Sequence, residues 1–120
     1  MKDLLLVGLG GFVGSASRYG IYLLSIRYLT DKSHMGTLLV NLAGCLLIGL
    51  LAGSLKANHH LNLLLIVGFC GGFTTFSTFG MDGFKLLKTG LTLELILYVS
   101  ASVIGGLIVC WLGFLLTQKN

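Results

Sequence analysis

Residues 68–80 read GFCGGFTTFSTFG, and the fold turns on how this stretch is read. Its thirteen residues hold four glycines, four phenylalanines and four hydroxyl side chains, and they follow the apolar run LNLLLIV. Phe69, Phe73, Phe76 and Phe79 recur at helical spacing, which alone reads as a packed aromatic stripe. Gly71-Gly72 and the hydroxyls of Thr74, Thr75, Ser77 and Thr78 pull against that reading, because glycine tolerates unwound backbone. Irregular backbone at membrane depth persists only where protein or a water-filled path satisfies its polar groups. The stretch therefore predicts a helix that crosses the membrane with a break in it.

The remainder of the chain fits that setting. It has 120 residues, 55% of them hydrophobic and 10% charged, and no proline. A soluble domain this small needs far more polar surface. Leu4 to Ser25, Gly36 to Leu55, Leu61 to Gly80 and Leu93 to Leu116 each approach the ~20 residues that span a bilayer as a helix. The expectation is an all-α integral membrane protein of the cell membrane, multi-pass, with residues 1–120 forming a single four-helix transmembrane domain. Lys2, the apolar run and Ser15-Ala16-Ser17 imitate a signal peptide. Asp3 and the apolar residues beyond Arg18 favour a retained first helix instead.

With four spans, both termini and the loop between spans two and three share one side. That side carries Lys2, Lys56 and Lys119, and the other carries Arg27, Lys32, Lys85 and Lys88. Three cations against four leave almost none of the excess that normally sets orientation. The expectation is dual topology, with the chain pairing with an inverted copy of itself. Such a pair has a two-fold axis in the membrane plane and its site near the midplane. The same scattered cations form no basic patch for nucleic acid.

Small residues four apart occur in every span: Gly10/Gly14, Gly49/Gly53, Gly68/Gly72 and Ala101/Gly105. This is the pattern of closely packed membrane helices. The run from Gly8 to Gly14 has the wrong spacing for a nucleotide fingerprint. Cys45, Cys70 and Cys110 lie in three different spans without Cys-x-x-Cys spacing, and read as packing residues. His59-His60 reads as a solvated loop pair. With the three histidines expected in loops and no nucleophile–base constellation, the chain is not read as an enzyme.

Polar side chains inside the apolar segments usually face protein or a water path. Asn41 serves either an interhelical hydrogen bond or a pore. Arg18, about 21 Å into the first span at 1.5 Å per residue, either snorkels at the far interface or concentrates anions at a mouth. Ser100 and Ser102 either bond back to their own helix or face a pore. A phenylalanine ring has a positive edge, so Phe side chains with neutral donors make an anion-compatible path. Proton-coupled export of the small multidrug-exporter type is the competing reading, and it needs an acid deep in the membrane. Asp3, Asp31 and Asp82 are expected at helix ends or in loops, and Glu94, the only glutamate, at the start of the last span.

The segments GTLLVNLAG, GGFVGSASRYG and above all GFCGGFTTFSTF resemble the signature of the CrcB, or Fluc, family of fluoride channels, over essentially the whole chain. The resemblance implies an inverted dimer with two pores, passing fluoride passively out of the cytoplasm and so limiting its toxicity. It implies pore roles for Phe76, Phe79, Asn41, Ser77 and Thr78, and brings a fourth-span hydroxyl to the pore, for which Ser102 is the candidate. It also implies a structural Na+ at the dimer centre on the backbone carbonyls of Gly71 and Thr74, and a vestibule shaped by Arg18. Two-gene versions of the family leave a paralogous partner open.

Overall fold

The computed structural model describes residues 1–55 and 57–118. Lys56 and Lys119, two of the three cations counted on one side, lie outside the described residues. Four apolar helical spans run Lys2–Tyr28, His34–Ser54, His59–Lys88 and Thr92–Thr117, each long enough to cross a membrane. The longest dimension of the fold is 47 Å, close to the ~40–45 Å of a bilayer with its headgroups.

All four spans start before their expected limits and all but the second end beyond them. The third overruns most, continuing eight residues past Gly80 as the helix Phe76–Lys88. Met81, Phe84 and Leu87 are exposed while Asp82 and Leu86 are buried. An amphipathic continuation of this kind keeps the helix going until a stop signal. Gly90 supplies the stop at φ +75°, a conformation that suits glycine. Leu91 N–H returns to the Leu86 carbonyl and Gly90 N–H to that of Leu87, closing the end as a Schellman motif.

Earlier in the same span, a turn of helix at His59–Leu61 is capped by Asn58, whose Oδ1 accepts from Leu61 N–H at 3.0 Å. A wider-wound stretch, Asn62–Cys70, leads into the helical turn Gly71–Phe73. The fourth span has a similar wide-wound section at Ala101–Gly105.

Glycine decides the pairing of spans. A methyl group on Gly10 would collide with the Leu64 carbonyl and the Phe69 N–H, and one on Gly72 with the Gly11 carbonyl. The first and third spans thus meet backbone to backbone. Gly49 meets the Cys110 carbonyl in the same way, and Gly113 that of Leu46, which joins the second span to the fourth. This is the close approach that four-residue glycine spacing permits in lipid. Ala101 is exposed and Gly105 faces only the Leu42 side chain, so that pair makes no such seam.

Little is buried inside one chain. The core joins Leu38, Leu86 and Tyr98, with Met35, Leu42, Phe79 and Leu95 against them. Large apolar residues along the first and fourth spans are exposed, as expected where hydrocarbon replaces water.

Candidate functional site

Between the helical turn Gly71–Phe73 and the helix Phe76–Lys88, Thr74 (φ −80°, ψ 158°) and Thr75 (φ −150°, ψ 123°) are extended. Extended residues inside a span leave helical carbonyls and amides without their usual partners, and the neighbouring residues supply replacements. Asn41 Nδ2 donates to the Thr75 carbonyl at 3.0 Å while its Oδ1 accepts from Thr75 N–H at 2.8 Å. One side-chain amide thus replaces both halves of a backbone pairing. Thr75 Oγ1 accepts from Thr78 N–H at 3.1 Å, capping the following helix. On the other side, Thr74 donates twice to the Cys70 carbonyl, from its N–H and its hydroxyl. Arg18 Nε donates to the Gly72 carbonyl at 3.0 Å. Among the described residues, the carbonyls of Gly71 and Thr74 receive no hydrogen bond.

Two aromatic pairs flank the extended residues. Phe69 and Phe73 stack at 5.5 Å, and Phe76 and Phe79 lie 5.6 Å apart. Phe76 is 84% exposed in the single chain, whereas Phe79 packs on Tyr98 with centroids 5.3 Å apart. Ser77 and Thr78 gather around the Thr75 hydroxyl at 3.2 Å each. Ser102 donates to its own Tyr98 carbonyl at 2.7 Å, so its proton stays within the fourth span.

A cavity of about 410 Å³ brings Arg18 together with Thr75, Ser77 and Thr78. Ser33, Thr37, Asp82 and Lys85 add to its polar lining, with Tyr19 and Tyr22 beside them. Asn41, Phe76, Phe79, Ser102, Gly71 and Thr74 are not among its lining residues.

Three expectations about charged groups are corrected. Asp82 is not at a helix end or in a loop. It is buried within the third span, about 9 Å from the helix end at Lys88, accepting from Thr37 Oγ1 at 2.6 Å and Tyr98 OH at 3.4 Å. The cause is the continuation of the third span past Gly80. His34 is no loop residue far from the polar groups: it is a buried residue opening the second span, with its ring against Tyr98. Arg18 is not near the far interface, because the first span runs ten residues further, to Tyr28.

The cluster of Thr37, Asp82 and Tyr98 escaped sequence reasoning. Its one available signal was the helical spacing of Asp82 three residues after Phe79, continuing the face that holds Phe76. Every buried side-chain nitrogen or oxygen among the described residues has a partner.

Relatives give these residues a context. The sequence model of the family described as CrcB-like protein, Camphor Resistance (CrcB), matches residues 5–114. The chain belongs to the CrcB family. It is 40% identical to a chain from Azobacteroides pseudotrichonymphae named fluoride-specific ion channel FluC, covering 98% of each. It is 41% identical to the chain of that name from Methylobacillus flagellatus, over 100% of this chain and 98% of the other. A Rhodococcus jostii chain named fluoride-specific ion channel FluC 2 is 46% identical, over 95% of this chain and 97% of its own. CrcB membership separates this chain from the multidrug-exporter reading. The absence of a membrane acid no longer does so, since Asp82 is buried in a span.

Proposed function

We propose that this protein is a fluoride-specific ion channel of the cell membrane, letting fluoride leave the cytoplasm down its gradient. The observation that carries this reading is end-to-end identity of about 40% to chains named as fluoride-specific channels. Geometry around the third span supports it and suggests how the chain's own residues act. The span is broken at Thr74–Thr75. Asn41 fixes the extended Thr75, and that fixes where the helix carrying Phe76 and Phe79 begins. Ring edges of these phenylalanines attract the anion, and the hydroxyls of Ser77 and Thr78, with any free Asn41 N–H, replace part of its water. Neutral donors and ring edges hold a small anion loosely enough to release it. Arg18 and Lys85 give the cavity a positive field that gathers anions at its mouth.

The working unit is an inverted homodimer. Its support is the near-even charge balance and the exposure of Phe76, a ring expected to work in a water-poor path that one chain does not enclose. A paralogous partner would serve the same geometry. The carbonyls of Gly71 and Thr74, turned out of helical bonding, are hard oxygen donors of the kind alkali and alkaline-earth cations take. They fit a structural Na+ held between two copies, which would neutralise the converging carbonyl dipoles when bound. Ser102, committed to its own helix, enters the path only if that bond yields.

Expression in a bacterium lacking its own fluoride export tests the function. Growth in fluoride at mildly acid pH should be restored by this chain, and lost again with Phe76→Ile at equal membrane abundance. Growth no better than the empty vector would refute the reading.

A further inference from the structure

His34 opens the second span with only 9% of its surface exposed. Its Nε2 lies 3.9 Å from Oε2 of Glu94, beyond a direct hydrogen bond but within ion-pair range. Its ring stands edge-on to Tyr98, with centroids 5.3 Å apart and planes at 80°. Glu94 and Tyr98 are one turn apart on the fourth span and share a face, so a single imidazole touches both. Tyr98 in turn packs on Phe79 and gives its hydroxyl to Asp82. A continuous set of contacts therefore joins His34 to the phenylalanine pair.

Histidine changes charge within about pH 5–8. A neutral His34 makes the ring contact with Tyr98, but has no charge with which to hold Glu94. An imidazolium attracts Glu94, and with the His34 side chain 11% and the Glu94 side chain 38% exposed, water screens the pair in part. The imidazolium also offsets the field of Asp82, which lines the cavity and opposes an approaching anion. The titratable and charged groups around His34 are Glu94 and Tyr98 on the fourth span and Asp82, behind Tyr98, on the third. Asp31 and Lys32 in the preceding loop are both exposed, and the first span presents the uncharged Ser25 beside Gly36.

We infer that His34 is a positioning residue whose imidazolium draws in Glu94 and fixes Tyr98 against Asp82 and Phe79, so that fluoride conduction rises as pH falls. This rests on the fluoride-channel reading and adds a regulation to it.

The test is fluoride efflux from liposomes holding the purified protein, at about pH 8 and about pH 6 on both sides. Leak through protein-free vesicles is subtracted. Wild type should run about threefold faster at the lower pH, the size of a modest electrostatic gain. H34Q and E94Q should both show a flat profile, and H59Q, at an exposed residue that opens the third span, should keep the wild-type slope. A flat wild-type profile, or a slope that survives in H34Q, would overturn the inference. A slope that survives in E94Q would also overturn it, and E94Q decides alone if H34Q does not fold. Absence of fluoride efflux at every pH would instead overturn the channel reading itself, and the inference with it.

Discussion

Asn41 shows most directly how one side chain allows a span to depart from the helix. Its amide serves both the N–H and the carbonyl of Thr75, groups that a continuous helix would have satisfied itself. Asn41→Ala leaves both without that partner, and an unmet buried group costs about 1–3 kcal/mol. The variant should melt at a lower temperature in detergent and lose fluoride flux together; full stability would contradict the role given to Asn41. The sequence marked Asn41 as a polar residue in an apolar span, but not which backbone it serves, because Thr75 is 34 residues away. Asp82 was misplaced for a related reason. Its burial depends on Thr37 and Tyr98, one on each neighbouring span, and no local pattern reports such a meeting.

Among elements, glycine spacing in the first three spans foretold close packing, while the pairing of first with third and second with fourth came only from the structure. The residues make the consequence specific. An added methyl at Gly10 would strike the backbone of Leu64 and Phe69, whereas at Gly8 it would meet nothing within 4 Å. Gly10→Ala should therefore destabilise the fold by about 1–3 kcal/mol through overpacking, and Gly8→Ala should change little. Equal melting temperatures for the two variants would argue against the observed seam. The end of the third span was illegible for a different reason. Leu61 to Gly80 already satisfied the length of a membrane span, and only Gly90 signalled the true stop. Four apolar segments were plain in the sequence because hydrocarbon demands them of every crossing helix.

For the whole molecule, one chain leaves Phe76 exposed and, among the described residues, the carbonyls of Gly71 and Thr74 without donors, and the proposed second, inverted copy would complete both. If Na+ sits between those carbonyls, purification with N-methylglucamine in its place should lower the melting temperature and shift dimer toward monomer, since a ligand of the assembled state stabilises it by mass action. Identical behaviour with and without Na+ would remove the cation from Gly71 and Thr74. The chain's membership of the CrcB family and its four spans rest on the whole sequence, but conduction rests on what the assembled protein does to an anion. The most direct measurement is efflux from liposomes loaded with fluoride and chloride together, with an ionophore balancing charge. The account predicts that fluoride leaves rapidly while chloride stays behind. Retention of both ions by well-incorporated protein, or their release at equal rates, would contradict it.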